Sequence, residues 1–257
     1  MRPGERDEDR MDRSRRIDWV DVEAIRGTRC LVVGAGALGN EAVKDLVLSG
    51  FRDIVLVDMD HIVLSNLNRC LFFHPSDVSG EVKKAEVVAR RAGELDPDVT
   101  IEPRVCRIEE LDDDEWRGFD LALGCLDNIA ARLHVNSYAR HFRVPYIDGG
   151  TEGMRGKVQV VLPNGPCLQC NMNRSHQKVL EKRYSCTGRE VTFFERSMAA
   201  EITTTAVVAA IQVREALKIA SGIEDRCISN VLYYDGLSGR TDELEVSVDP
   251  SCPNHVT

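Results

Sequence analysis

The stretch that most constrains the fold lies near the N-terminus, where two apolar runs flank a glycine-rich turn and a helical pattern. Residues 30–34 (CLVVG) are short, apolar and β-branched, as buried parallel strands are, and they end on glycine. The helical pattern that follows stops at Gly50, and residues 54–58 (IVLVD) form the next strand-like run. This order predicts a βαβ unit and therefore a parallel sheet.

The turn itself, Gly34-Ala35-Gly36-Ala37-Leu38-Gly39, has the spacing G-x-G-x-x-G. Between a strand and a helix, the first glycine makes the turn, the second lets backbone approach a phosphate, and the third packs helix on strand. The helix N-terminus offers free N–H groups to the same anion. We predict that these glycines bind a nucleotide and that Asp58 binds its ribose. The alternative is a turn that binds nothing.

Strand and helix patterns continue to alternate along the chain, as they do in α/β proteins. Residues 156–162 alternate between apolar and polar side chains, which is typical of an antiparallel strand. We therefore predict a Rossmann-like, doubly wound α/β sheet, mainly parallel, with added antiparallel strands. The further predicted helices are 81–95, 127–143 and 199–220, and the further predicted strands are 100–105, 120–124, 145–148, 156–162, 229–235 and 242–247.

Charge and composition narrow the classes of partner. The formal net charge of −9 argues against nucleic acid or an anionic membrane surface as the main partner. No run approaches the roughly 18 apolar residues of a membrane span, and the charged N-terminus lacks the apolar core of a secretory signal. We therefore expect a cytoplasmic protein. The nine cysteines, an odd number, favour free thiols and metal ligands over disulfides.

The residues after the second predicted strand help to choose between the nucleotides that such a turn can bind. Asp60, Asn66 and Arg69 lie beyond the carboxyl end of this strand, where ligands bind in such sheets, and Lys83-Lys84 follow on the next helix. An NAD-dependent oxidoreductase has no evident need for these cations. A triphosphate under attack does need them, because negative charge builds on its oxygens and pyrophosphate must leave.

Asp127 follows the fourth predicted strand and supplies a carboxylate at the same edge of the sheet. A hard carboxylate, together with phosphate oxygens, is the usual way in which proteins hold Mg²⁺. The position of Asp127 before the helical run NIAARL also suits a helix N-cap. Both roles stay open, and one does not exclude the other.

Several motifs taken together resemble one superfamily. They are VVGAGALGNEAVKDLVLSGF, VDMDHIVLSNLNR, KKAEVV, GCLDNIAAR, YIDGGTEGMRGKVQVVLP and CLQC, spread over about residues 25–255. On these motifs the chain resembles the ThiF/MoeB/ubiquitin-activating-enzyme superfamily. Within it, SNLNR and DGGTEG are most similar to the catalytic subunits of activating enzymes for ubiquitin-like modifiers.

The resemblance implies a set of ligands for ATP and its metal. They are Gly36, Asp58, Asn66, Arg69, Lys84 for phosphate, and Asp127 for Mg²⁺. Lys83 is the alternative to Lys84, because the segment SDVSGEVKKAEV is slightly longer than is usual in the family. Cys70 stands where the family usually has glutamine.

The implied activity is that of an adenylyltransferase. A ubiquitin-like or sulfur-carrier β-grasp protein ending in Gly-Gly would react with ATP through its C-terminal glycine, with release of pyrophosphate. We expect one adenylation domain at 21–257, with a nucleotide half at about 21–150 and a half for the partner's tail and zinc at about 151–257. The alternatives are a non-catalytic nucleotide-binding or scaffold subunit and an NAD-dependent oxidoreductase.

The segment 1–20 is rich in charge, and its first part has no apolar face, so that we expect it to be mobile unless a partner orders it. The run DRMDRSRRI resembles the basic segment before the domain in ThiF and MoeB, where an arginine reaches the ATP of the other subunit. This resemblance implies a homodimer in which Arg13, or in second place Arg15, crosses between subunits. A solvated tail is the alternative.

Two short motifs far apart in the sequence predict a metal site. Cys167-x-x-Cys170 and Cys252-x-x-His255 can together close a tetrahedron of three thiolates and one imidazole, which suits Zn²⁺ best. A closed site of this kind is structural. The superfamily carries paired CxxC zinc motifs at the same two places, with cysteine where this chain has His255. The alternative is two pairs of free thiols.

Cys186 is the candidate nucleophile. Lys182, Arg183 and Arg189 surround it, and positive neighbours favour the thiolate. In the family branch named above, the cysteine in a similar Cys-Thr context takes the modifier from AMP as a thioester. The usual large helical insertion after that cysteine is missing here, so that a loop cysteine without catalytic role is the alternative.

Overall fold

The chain forms a mixed eight-stranded sheet with helices on both faces. The structure is a computed structural model, and it describes residues 7, 9–78, 80–172, 199–228 and 231–255. The strands are β1 (Arg29–Val33), β2 (Asp53–Val57), β3 (Thr100–Arg104), β4 (Leu121–Gly124), β5 (Tyr146–Glu152), β6 (Arg155–Val161), β7 (Val231–Asp235) and β8 (Arg240–Leu244). The helices are α1 (Val22–Gly27), α2 (Ala37–Ser49), α3 (Lys84–Gly93), α4 (Asp113–Arg117), α5 (Ile129–Phe142) and α6 (Ile202–Ala220).

The order of the strands across the sheet is β3-β2-β1-β4-β5-β6-β7-β8. The first five are parallel, and β5 through β8 pair antiparallel. This confirms the predicted doubly wound sheet, mainly parallel with antiparallel strands added later. Since the chain leaves β1 toward β2 on one side and returns to β4 on the other, the carboxyl ends of β1 and β4 form the switch point where such sheets bind ligands.

Two apolar layers cover the two faces of the sheet. Alternate residues of β1 point to opposite faces, Val32 into the layer with α2, α3 and α6, and Leu31 into the layer with α4 and α5. Trp116 is the largest fully buried side chain and lies in the second layer. Among the described residues, no helix is both long enough and apolar enough to span a membrane.

The helices predicted at 81–95, 127–143 and 199–220 begin two or three residues later in the structure, and side-chain caps fix the starts of the last two. The Glu201 carboxylate accepts from the backbone N–H of Thr203 and Thr204, and α6 starts directly after it. These hydrogen bonds, with one from the Thr203 hydroxyl, hold the pKa of Glu201 at about 2. Short elements such as α1 and α4 were not predicted.

The N-terminal segment packs against its own domain in the part that the structure describes, and the expectation that only a partner orders it is corrected there. Met11 is 3% exposed and packs against Gly50, where α2 ends. Arg10 forms an ion pair with Asp96 at 3.0 Å. The sequence did not predict this contact, because a single methionine that packs at the end of α2 gives no apolar periodicity.

Candidate functional site

The glycine turn lies at the switch point of the sheet. Gly34 has φ +102, and a side chain there would place its Cβ 2.5 Å from the Cys125 carbonyl oxygen, just after β4. Gly39 has no room for a Cβ against the Gly34 carbonyl. Gly36 caps α2, and among the described residues no group beyond its chain neighbours and helix backbone lies within 4 Å of where its Cβ would be. The backbone at Gly36 is therefore open to a ligand, as the motif predicts.

Asn40, a residue that the sequence analysis did not predict to have a role, stabilises this turn through hydrogen bonds. Its Nδ2 donates to the carbonyls of Ala35 at 2.9 Å and Gly36 at 3.0 Å. Its Oδ1 accepts from the backbone N–H of Phe72 at 2.9 Å. Asn40 is fully buried, so that it couples the turn rigidly to the segment after β2.

Asp58 follows β2 and accepts hydrogen bonds from two backbone N–H groups at the carboxyl edge of the sheet. One carboxylate oxygen accepts from the backbone N–H of Ala35 at 2.7 Å and the other from that of Asp60 at 2.8 Å. Burial raises the pKa of Asp58, and the nearby Lys84 ammonium opposes that rise. Each oxygen keeps a further lone pair, so that the predicted ribose contact is compatible with this geometry.

The two candidate lysines at the start of α3 differ in their partners. Lys84 Nζ lies 2.9 Å from a carboxylate oxygen of Asp60, and the Lys84 side chain is only 12% exposed. Lys83 Nζ donates to the Met59 carbonyl at 3.0 Å. Lys84 is thus the cation that lies beside the acidic groups after β2. Lys83 instead binds the backbone of the segment after β2.

Asn66 and Arg69 lie on the segment between β2 and α3. Asn66 is 7% exposed, and its Oδ1 accepts from the Val63 backbone N–H at 3.0 Å. The Arg69 guanidinium donates to the Ser65 carbonyl and to Asn68 Oδ1. Asn66 therefore shapes the turn that carries Arg69, and the guanidinium is only partly exposed.

A buried ion pair anchors this segment to α3. Arg91 Nη2 donates to Asp77 at 3.0 Å, and a second guanidinium nitrogen binds the other carboxylate oxygen at 2.5 Å. The same carboxylate accepts from the His74 backbone N–H at 2.7 Å. The Arg91 guanidinium is the main reason that the pKa of Asp77 lies below its usual range.

Asp127 is exposed at the end of the loop that follows β4. The predicted alternative, a helix N-cap, is wrong for this residue. Asn128 caps α5 instead, since its Oδ1 accepts from the N–H groups of Ala130 and Ala131. Within the described part of the chain, the Asp127 carboxylate has no hydrogen bond and no ion pair. It is available to a cation at the switch point.

A buried polar cluster beside this edge was not predicted. Asp148 on β5 is fully buried and binds the Arg132 guanidinium through both oxygens, with Nε–Oδ1 at 2.9 Å. The Tyr146 hydroxyl donates to Asp148 at 2.8 Å. The only sequence signal was indirect: Asp148 and Arg132 both stand within the motifs that carry the family resemblance.

The predicted metal ligands come together. The ligand atoms of Cys167, Cys170, Cys252 and His255 all lie within 4.8 Å of one another. The Sγ atom of Cys167 lies 3.6 Å from that of Cys252 and 3.9 Å from that of Cys170. Thiolates that bind Zn²⁺ at about 2.3 Å in a tetrahedron are roughly 3.8 Å apart. The donor set therefore fits a metal ion, and we call these residues the Cys/His cluster.

Polar neighbours surround the Cys/His cluster. Asn254 Nδ2 lies 3.7 Å from Cys167 Sγ, the kind of contact that orients a metal ligand. Arg140 Nη2 lies 3.1 Å from His255 Nδ1, and His255 Nε2 is buried without a partner among the described residues. Because arginine only donates, coordination through Nδ1 replaces the Arg140 contact, and coordination through Nε2 requires Arg140 to turn away.

We call the glycine turn, Asp58, Asp60, Asn66, Arg69, Lys84 and Asp127 the nucleotide edge. Two predicted residues do not join it. Arg13 binds Asp7 at 2.8 Å, and Arg15 binds Asp9 at 2.6 Å, near the C-terminal end of α2. The glycine turn is at the other end of this 13-residue helix, roughly 20 Å away at 1.5 Å per residue. Arg13 is therefore far from the turn of its own chain. Cys186 lies outside the described residues.

Comparison with known protein families identifies the family of this chain. The model of the ThiF family matches residues 11–254. The chain belongs to the ThiF family. This confirms the superfamily resemblance that the motifs carried.

Relatives of this ThiF-family protein include activating enzymes. It is 40% identical over 158 residues to the NEDD8-activating enzyme E1 catalytic subunit of Arabidopsis thaliana, covering 56% of this chain and 34% of the relative. It is 35% identical over 151 residues to SUMO-activating enzyme subunit 2 of Dictyostelium discoideum, covering 58% and 22%. The chain thus spans about a third or less of the length of these relatives.

Solved structures show the same fold. E. coli MccB superposes with a TM-score of 0.76 at 18% identity, over 99% of this chain and 74% of MccB. MccB with AMPCPP and MccA gives a TM-score of 0.75 at 19% identity, over 97% of this chain and 75% of MccB. At this identity, the likeness concerns the fold.

Proposed function

We propose that this ThiF-family protein is an activating enzyme that adenylates the C-terminal glycine of a ubiquitin-like or sulfur-carrier β-grasp protein ending in Gly-Gly. One observation carries the proposal. At the switch point, the open backbone of Gly36 lies at the same edge as two cations, Arg69 and Lys84, and an exposed carboxylate, Asp127. Relatives named as NEDD8- and SUMO-activating enzymes support the choice of substrate.

The reaction is a nucleotidyl transfer. A carboxylate oxygen of the terminal glycine attacks the α-phosphorus of ATP, the bond from that phosphorus to the bridging oxygen breaks, and pyrophosphate leaves with its electron pair. The products are an acyl-adenylate and pyrophosphate, and no proton is transferred. Catalysis of this kind depends on positioning and on stabilising negative charge.

Each residue has a part in that task. The N–H groups at the start of α2 and the open Gly36 receive phosphate oxygens, and Asp58 receives the ribose. Lys84 and Arg69 stabilise the charge that builds on the leaving pyrophosphate. Asp127 holds Mg²⁺, which when bound neutralises phosphate charge. Asn66 keeps the segment that carries Arg69 in shape.

Three further roles belong to the same proposal. Arg13, or else Arg15, reaches the nucleotide of a second copy in a homodimer, which agrees with the distance of this segment from the turn of its own chain. Cys186 then takes the acyl group as a thioester, with AMP as the leaving group. The Cys/His cluster binds a structural Zn²⁺, because its three thiols have the spacing of zinc ligands.

The test is ATP–pyrophosphate exchange with candidate Gly-Gly-ending β-grasp proteins. We expect exchange that requires the carrier and falls by about 100-fold or more in Asp127→Ala, since a charge-stabilising group is lost. The matched control is Asp113→Ala, which removes an exposed carboxylate of α4 and should keep the wild-type rate. ATP binding without exchange for any carrier would instead indicate the scaffold subunit, and absence of ATP binding would reject the site altogether.

A further inference from the structure

Lys157 is a lysine beside the polar cluster that the roles above leave unused. It lies on β6 directly opposite Gly150 of β5. Residues opposite each other in an antiparallel pair point to the same face of the sheet. A Cβ on Gly150 would lie 3.0 Å from the Arg132 guanidinium, so that Lys157 shares its face with Arg132 and, two residues before Gly150, with Asp148.

Arg132 and Lys157 are two cations beside one fully buried carboxylate, that of Asp148. Asp148 is already satisfied by the Arg132 guanidinium and the Tyr146 hydroxyl. Lys157 has no hydrogen bond and no ion pair with any residue that the structure describes. The group formed by Asp148, Arg132 and Lys157 therefore carries one surplus positive charge. A partly buried cation without a partner is unfavourable, and an anion placed beside it would remove that cost.

The place of Lys157 in the sheet indicates which anion this is. Neighbouring strands lie about 4.8 Å apart, so that β6 is roughly 14 Å from β1, where the glycine turn receives phosphate. Lys157 is therefore too far across the sheet to belong to the phosphate ligands at that turn. It lies on the antiparallel side of the sheet, beyond β4 and β5.

We propose that Lys157 binds the C-terminal carboxylate of the carrier protein and holds it beside the nucleotide before attack. This inference rests on the proposed function. A carboxylate that approaches a triphosphate is repelled by it, and a cation on the carboxylate side offsets the repulsion. Asp148 already binds two nitrogens of the Arg132 guanidinium, which leaves Lys157 as the cation of this group without an ion pair among the described residues.

The first test separates binding of the carrier from binding of ATP in exchange assays. In Lys157→Gln we expect the KM for the carrier to rise by about tenfold or more, as for the loss of a charged hydrogen bond, with the KM for ATP unchanged. Lys157→Arg, which keeps the charge, should restore the KM. Arg240→Gln on the exposed β8 is the matched surface control and should behave as wild type.

A second readout is direct binding in the presence of a non-hydrolysable ATP analogue. Wild type should prefer a carrier with a free C-terminal carboxylate over the same carrier with a C-terminal amide. Lys157→Gln should lose this preference, and Lys157→Arg should keep it. A merely structural role for Lys157 would weaken binding of both carriers equally.

The pH dependence gives a third readout. Burial lowers the pKa of Lys157, Arg132 on α5 adds to this, and Asp148 on β5 opposes it. The other titratable groups on this face are Tyr146 and Glu152 of β5, Arg155 of β6, and Tyr233 and Asp235 of β7. The ammonium thus loses its charge at a lower pH than an ordinary lysine. The wild-type KM for the carrier should rise toward alkaline pH, and that of Lys157→Arg should not.

The outcomes separate this inference from the function on which it rests. Wild-type exchange with an unchanged KM for the carrier in Lys157→Gln would overturn the role of Lys157 alone. Equal affinity of wild type for the carboxylate and amide carriers would do the same. A wild-type protein that supports no exchange with any carrier would reject the proposed function and the inference together.

Discussion

The nucleotide edge and the Cys/His cluster are built in opposite ways. At the nucleotide edge, the functional side chains lie on the segments that follow β1, β2 and β4 and at the start of α3, and Asp60 and Asp127 remain exposed. In the Cys/His cluster, Cys167 and Cys252 lie 85 residues apart and are almost fully buried. The first arrangement lets ligands enter and leave, and the second ties two distant segments together. Function should therefore be lost at one region and stability at the other.

The largest expected effect is on stability and concerns the cluster. Cys252→Ser should abolish metal binding and remove on the order of 5 kcal/mol of folding free energy, because metal binding is coupled to folding. This corresponds to a fall in Tm of roughly 10–20 °C for a chain of this size. Metal content by elemental analysis and Tm by calorimetry are the measurements. Cys106→Ser, at a half-buried thiol outside the cluster, is the control. An equal fall in Tm in both variants would show that the Cys/His cluster has no special part in stability.

The second prediction concerns the polar cluster that lies between the two regions. Arg132→Met leaves the buried Asp148 carboxylate with the Tyr146 hydroxyl as its remaining hydrogen-bond partner, which should cost about 3–5 kcal/mol. Arg52→Met breaks an ion pair with Asp98 of similar length but greater exposure, and it should cost less than about 1 kcal/mol. Urea unfolding of the two variants compares them. Similar urea midpoints for Arg132→Met and Arg52→Met would mean that the Arg132 guanidinium does not stabilise a charged Asp148 carboxylate.

The third prediction decides between the two lysines of the nucleotide edge. Lys84→Met should raise the KM for ATP by roughly 10–100-fold, the equivalent of one charged hydrogen bond. Lys83→Met should have a smaller effect, because Lys83 contacts a backbone carbonyl. Both variants should keep the wild-type Tm if the edge serves function rather than stability. A larger effect of Lys83→Met would reverse the assignment.

The fourth prediction concerns the ion pair that anchors the segment after β2, and its effect is of similar size to that of Lys84→Met. Asp77→Asn should cost about 1.5–3 kcal/mol at neutral pH through loss of charged hydrogen bonds to Arg91. The pKa of Asp77 is lowered in the folded state, so that this stability is present above the unfolded value of about 3.9 and is lost as the pH falls through the folded value.

The difference between wild type and Asp77→Asn should accordingly shrink in acid. Urea midpoints at neutral pH and at pH values below that of an ordinary aspartate measure it. Asp98→Asn, at an exposed ion pair, should show little difference at any pH. A gap for Asp77→Asn that stays constant into acid would show that the charge on Asp77 is not what stabilises the segment.

Much of the fold followed from patterns that are local in the sequence. The parallel strands, the glycine turn and the antiparallel strand β6 were predicted, because strand periodicity and glycine positions are set by backbone geometry within a few residues. Boundaries were less accurate. Asp127 and Asn128 are both good N-cap residues, and they differ by one position in where α5 would start. Hydrogen-bond geometry selects Asn128, and composition does not.

The sequence by itself determined the doubly wound sheet, the candidate nucleotide edge and the two pairs of metal ligands, since each is encoded by short motifs whose spacing has a direct geometric meaning. Tertiary structure alone decided which buried groups meet. Asn40 bridges the glycine turn to Phe72, Asp148 pairs with Arg132, and Lys157 is left without a counter-ion among the described residues. These contacts join segments far apart in the chain, and packing of helices on the sheet, rather than any local pattern, brings them within hydrogen-bonding distance.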